Sequence, residues 1–143
     1  MTEPFSRGDG YSKPVGRYTP VTTGMATIDA KIVTISGQVA VDHEGVVRCA
    51  GDAAGQAEIV FAQLLGLLGE VGGQLSDLQS VTIFLSSRKD FDAVNAVRNR
   101  FFATHAPAST LVIAQLLEPG CLIEVNGFAV VHTESGLPRG AIA

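Results

Sequence analysis

A chain of 143 residues, 46% hydrophobic and 17% charged, is long enough for one domain with its own core and too apolar to remain disordered. The formal net charge of −4, without any Lys/Arg run, excludes a cationic stripe of the kind that displaces counterions from a nucleic acid. Cys49 and Cys121 are too few for a disulfide scaffold and are expected as reduced, partly buried thiols. No stretch of 18 uncharged apolar residues occurs, so a soluble, cytoplasmic protein without a membrane partner is expected.

Residues 1–17 are rich in Gly, Pro, Ser and charge and read as an N-terminal arm; 18–132 hold the folded domain and 133–143 a C-terminal tail. "TPVTTGMATIDAKIVTISGQVAV" is dense in Thr, Val and Ile, which predicts two strands joined by a tight connection. "DHEGVVR" supplies a turn and a short return. From Asp52 to Val71 the period changes: Ala57, Val60, Phe61, Leu64, Leu67, Leu68 and Val71 fall on one helical face. Asp52 is the expected N-cap, and Gly72-Gly73 the left-handed stop. Glycines 55, 66 and 69 weaken this helix by about 1 kcal/mol each relative to Ala, so packing on a sheet must hold it.

"LQSVTIFLSS" is a third strand, with Val81, Ile83 and Leu85 on one face and Thr82 and Phe84 on the other. A second helix, capped by Asp90, carries Phe91, Val94, Val97, Phe101 and Phe102 and ends before Pro107. Strands at 109–116 and 121–132 complete a β-β-α-β-α-β-β order, an α+β fold with both helices on one face of a mixed sheet. The opposite face keeps Ile32, Thr34, Phe84 and Leu122, so another subunit is expected to cover it.

His43, His105 and His132 have no metal-binding spacing, and "GLLGEVGG" lacks the Lys-Ser/Thr of a phosphate loop. Neither cysteine has a histidine beside it in sequence, so neither is expected to be a catalytic thiolate. The remaining polar candidates lie on strands: Ser36, Ser109 and Glu124. For an isolated serine a surface position is the simpler reading. A carboxylate set among core-building residues, with Leu122 and Asn126 expected on its face, asks for a task.

Four stretches, "YTPVTTG…IVTISGQVAVD", "VTIFLSSRKDFDAVNAVRNRFFATH", "PAST" and "CLIEV", together resemble the Rid family (reactive intermediate deaminases, YjgF-like) over about residues 18–131. The resemblance implies a chorismate-mutase-like fold, a homotrimer, and a small-molecule site in each cleft between subunits. It implies hydrolysis of reactive imines and enamines to a keto acid and ammonia, without metal or organic cofactor. By motif position Tyr18, Ser36, Gly37, Asn95 and Ser109 fall at substrate-binding positions, and Glu124 at the acid that handles the attacking water. Family members of the best-known kind read Pro-Ala-Arg where this chain reads Pro107-Ala108-Ser109. A serine cannot replace a charge-assisted fork worth roughly 1.5–3 kcal/mol per bond, so altered specificity and poor handling of 2-iminopropionate are expected. Position 126, acidic in many relatives, is Asn here.

Arg17, Arg88 and Arg100 are the substitute cations suggested by sequence proximity. The alternatives to a deaminase are a non-catalytic metabolite-binding or regulatory trimer of the same fold and, ranked last because of the charge, a ribonuclease.

Overall fold

The computed structural model describes residues 21–27 and 29–132. The expected arm and tail, with Arg17 and Tyr18, lie outside the described residues. The β-branched runs form β1 (Val21–Thr27) and β2 (Ala30–Val39), paired antiparallel from Val21↔Ile35 to Thr27↔Ala30. β3 (Leu78–Leu85), β4 (Ala108–Ile113) and β5 (Ile123–His132) complete a five-stranded sheet in the order β1-β2-β5-β3-β4. β5 runs antiparallel to both β2 and β3, whereas β3 and β4 are parallel. A parallel pair needs a long crossover, and α2 (Phe91–Phe101) supplies it.

α1 (Ala53–Glu70) begins where expected, with Asp52 Oδ1 accepting from the Gly55 amide at 2.9 Å. It ends at Gly72, whose φ of +84° suits glycine, while the Gly73 amide donates to the Leu68 carbonyl at 2.9 Å. Its face of Ala57, Val60, Phe61, Leu64, Leu67 and Leu68 is fully buried against Val33, Ile35, Ile83, Val125 and Ala129 of the sheet. α2 lies beside α1: Phe61 stacks on Phe101 and meets the edge of Phe102, and Glu58 pairs with Arg100 between the helices. Both helices therefore cover one face. On the other, Ile32, Val112 and Phe128 are each between 37% and 39% exposed, too much apolar surface to leave facing water.

Several expectations need correction. β4 stops at Ile113, just before the Ala114 amide bonds the Leu85 carbonyl, and β5 starts at Ile123. Asp90 occupies the N-cap of α2 but makes no cap bond; Ser87 Oγ instead accepts from the Lys89 amide in the short 3₁₀ turn before it. Cys49 is exposed, and only Cys121 is buried. Leu122 packs against the core instead of sharing the open face with Glu124, because it precedes the strand and its alternation.

Candidate active site

β2 carries an irregularity between Ile35 and Gln38: Ile35 pairs with Gly127 and Gln38 with Val125, so Ser36 and Gly37 together oppose Asn126. This is a β-bulge, a device that re-aims neighbouring side chains. Gly37 has a local reason to be glycine. A Cβ on it would collide with the Glu124 carboxylate, which lies over its Cα from the adjacent strand. Glu124 faces Val39 on one side and Phe84 on the other, on the sheet face away from the helices.

The Glu124 carboxylate is half-buried and has no hydrogen-bond or ionic partner among the described residues. Desolvation alone raises its pKa above the ordinary 4.5. Its face-mate Asn126 is committed to structure, accepting the Thr82 amide through Oδ1 at 3.3 Å. Ser36 accepts from Gln38 Nε2 through its carbonyl at 2.9 Å. The start of β5 is fixed by Gln56, a fully buried side chain of α1 that sequence periodicity does not single out. Its Oε1 accepts the Leu122 amide at 2.8 Å, and its Nε2 donates to the Gly120 carbonyl at 3.0 Å. α1 thereby holds the strand entry two residues ahead of Glu124.

A second cluster stands at the β4 edge. Ser109 pairs in register with Val81, which places it on the helix-bearing face, and its Oγ accepts from Arg98 Nη1 at 3.2 Å. Arg98 Nη2 donates to Asn95 Oδ1, one helical turn earlier. Arg98 and Ser109 border an open cleft of about 470 Å³, lined also by Asn99, Phe102, Ala106 and Pro107.

The predicted residues thus fall into two groups. Ser36, Gly37 and Glu124 meet on the open face, while Asn95 and Ser109 meet beside the second helix. Within one chain the groups lie on opposite faces of the sheet. Arg98 is the functional candidate that sequence proximity missed; its signal was the i,i+3 spacing from Asn95. Of the cations suggested by sequence, Arg100 is paired with Glu58 and Arg88 sits exposed in the 3₁₀ turn before α2.

Cys121 is a poor nucleophile here: burial, with Glu118 and Glu124 nearby, pushes its thiol up to about 11. His105 Nε2 lies 2.9 Å from the Leu78 carbonyl, which can only accept, so Nε2–H donates in this bond. Among the described residues no three His, Cys, Asp or Glu side chains group as a metal site, and no helix is long and apolar enough to cross a membrane.

A mixed sheet backed by two helices, with a carboxylate unpaired among the described residues over a glycine bulge, defines a small α+β protein with a polar site on its open sheet face. The chain belongs to the Rid (YjgF-like) family: the family model described as Endoribonuclease L-PSP matches residues 12–131. It is 32% identical over 123 residues to the 3-aminoacrylate deaminase RutC of Acinetobacter baylyi, covering 86% of this chain and 94% of that protein. Its fold matches a Thermotoga maritima structure with TM-score 0.77 and 28% identity, over 91% of this chain and 98% of that one. RidA from an Antarctic Psychrobacter gives TM-score 0.75 and 25% identity, over 87% of this chain and 97% of that one. The relatives therefore include a protein named as a deaminase of 3-aminoacrylate.

Proposed function

We propose that this protein hydrolyses a small reactive imine or enamine in a cleft between subunits of a homotrimer, with Glu124 as the proton carrier. The observation that carries the reading is the Glu124 carboxylate, half-buried, unpaired among the described residues and poised above Gly37. Water adds to the carbon of the protonated C=N while Glu124 takes one of its protons, leaving a neutral carbinolamine. The carbinolamine nitrogen then receives that proton, the C–N bond breaks, and ammonia leaves as the hydroxyl gives its proton to Glu124 and the C=O bond forms. One group serves as base and then acid, which suits a carboxylate whose pKa desolvation has brought closer to neutral. Tyr18, Ser36, Gly37, Asn95 and Ser109 contact the substrate in this reading.

Two features support a shared cleft. Glu124 and the Asn95–Ser109 group lie on opposite faces of one sheet, so a single chain does not bring them to one ligand. The open face also presents Ile32, Val112 and Phe128 for burial by a second copy. Against the ribonuclease wording of the family description stand the net charge of −4 and the want of a cation cluster in the sequence.

The test is Glu124→Gln, which keeps shape and removes the proton carrier. Turnover across a panel of imines and enamines should fall by roughly 100-fold or more with ligand affinity retained. A wild type that turns over none of the panel, yet is stabilised against melting by small acids or amides, would instead be a metabolite-binding trimer.

A further inference from the structure

We infer that Arg98 is the carboxylate anchor of this site, so that the protein acts on carboxylate-bearing imines despite the serine at 109. The inference rests on the deaminase reading for its reaction but on separate atoms for its evidence.

Arg98 is half-buried on α2, and its two observed contacts are both to neutral acceptors, Ser109 Oγ and Asn95 Oδ1. No carboxylate among the described residues pairs with it, in contrast to Arg100, two residues on, which Glu58 neutralises. A guanidinium has five N–H donors in a rigid fork, and two bonds to neutral oxygens fix its plane while leaving its charge and other donors to a ligand. Those donors border the 470 Å³ cleft, whose remaining walls include Phe102, Ala106 and Pro107. A cation at the edge of a small, partly apolar cleft suits an organic acid with a short apolar substituent better than an inorganic anion or a neutral amide.

The serine at 109 acquires a role in this geometry. An arginine at 109 would bring a second guanidinium against Arg98, whereas serine offers an oxygen that accepts from it. Ser109 is thus a positioning residue, and the cation has moved from strand to helix. Asn95 belongs to the same brace, holding the guanidinium from its own helix one turn away.

Calorimetric titration of the full chain with pyruvate and with uncharged pyruvamide, at fixed ionic strength, tests the assignment. Arg98→Met should weaken pyruvate binding at least about 10-fold and leave pyruvamide within about 2-fold, with Arg98→Lys between the two. Ser109→Ala should cost pyruvate affinity less than Arg98→Met does. In the unmutated protein, the Arg98 guanidinium ¹⁵N resonances should shift on adding pyruvate and stay put on adding pyruvamide, a readout that needs no variant. Equal losses for both probes, unchanged pyruvate affinity in Arg98→Met, unmoved resonances, or no pyruvate binding by the wild type would each overturn the inference. Failure of the deaminase reading shows separately, as absence of imine turnover by a protein that still binds pyruvate through Arg98.

Discussion

Gln56→Ala should cost about 1–2 kcal/mol of stability, a large effect for one polar residue on a helix. Gln56 is fully buried and spans from α1 to the loop before β5. Truncation leaves the half-buried Leu122 amide without its acceptor, at roughly 1–2 kcal/mol, while the exposed Gly120 carbonyl can turn to water at a cost of roughly 0.5 kcal/mol. One buried methylene adds about 0.8 kcal/mol. Release of a long side chain from its single rotamer returns about 1–1.5 kcal/mol. The assay is urea unfolding at one fixed protein concentration, where the midpoint should fall with an unchanged slope. Gln56→Glu sharpens the argument, because it preserves shape and still accepts from Leu122. Its ionised form points a charge at the Gly120 and Cys49 carbonyls, which Nε2 now faces at 3.0 and 3.4 Å. Buried like this, the new carboxyl should have a raised folded-state pKa, so the variant should lose stability as pH rises from about 4 to 7. A Gln56→Ala midpoint equivalent to a loss under about 0.5 kcal/mol would refute the view that this amide fixes the strand entry.

Gly37→Ala should push the Glu124 carboxylate aside and reduce turnover at least roughly 10-fold while changing stability little, since the colliding atoms belong to the end of a flexible side chain; circular dichroism melting beside the activity assay separates the two. Glu124 binds its proton more tightly folded than unfolded, so its ionisation costs stability as pH rises above 4.5; Glu124→Gln should therefore match the wild-type melting temperature near pH 4 and exceed it near pH 7. In an Arg98→Met background, Ser109→Arg should raise kcat/KM for 2-iminopropionate at least about 10-fold, and with Arg98 present it should gain less, a non-additivity that steady-state kinetics on the four proteins would reveal. A thiol reagent should label Cys49 in the native protein and Cys121 only on unfolding, as a peptide map of the labelled chain would show.

The parts of this fold that were legible in the sequence are those where a repeat in hydrophobicity meets a local stop signal. α1 shows both, in its buried face and in Asp52 and Gly72 at its ends. The alternation in β3 likewise assigns Val81, Ile83 and Leu85 to the core. Asp90 misled because capping depends on backbone geometry: a 3₁₀ turn already leads into α2, and Asp90 enters it in the helical region, at φ −88° and ψ −3°, instead of extended. Gln56 and Gln63 are polar and buried at 0% and 6% exposure, so a reading that scores apolar residues alone passes over them. Glu124 was legible because a charge interrupts a strand pattern, yet the Gly37 bulge that makes room for it depends on pairing between strands nearly 90 residues apart.

Arg98 shows the limit most clearly. On α2 it reads as one solvated cation among Arg88, Lys89 and Arg100, and proximity to the motif favours its neighbours equally. Only the β3–β4 register brings Ser109 alongside α2, and only the Glu58–Arg100 pair takes the competing guanidinium out of consideration. On the proposed assignment of Arg98, the serine at 109 is a small residue that makes room for a cation from the neighbouring helix. Specificity in such a cleft follows from which charge remains unpaired after folding, and a single position in the sequence does not carry that information.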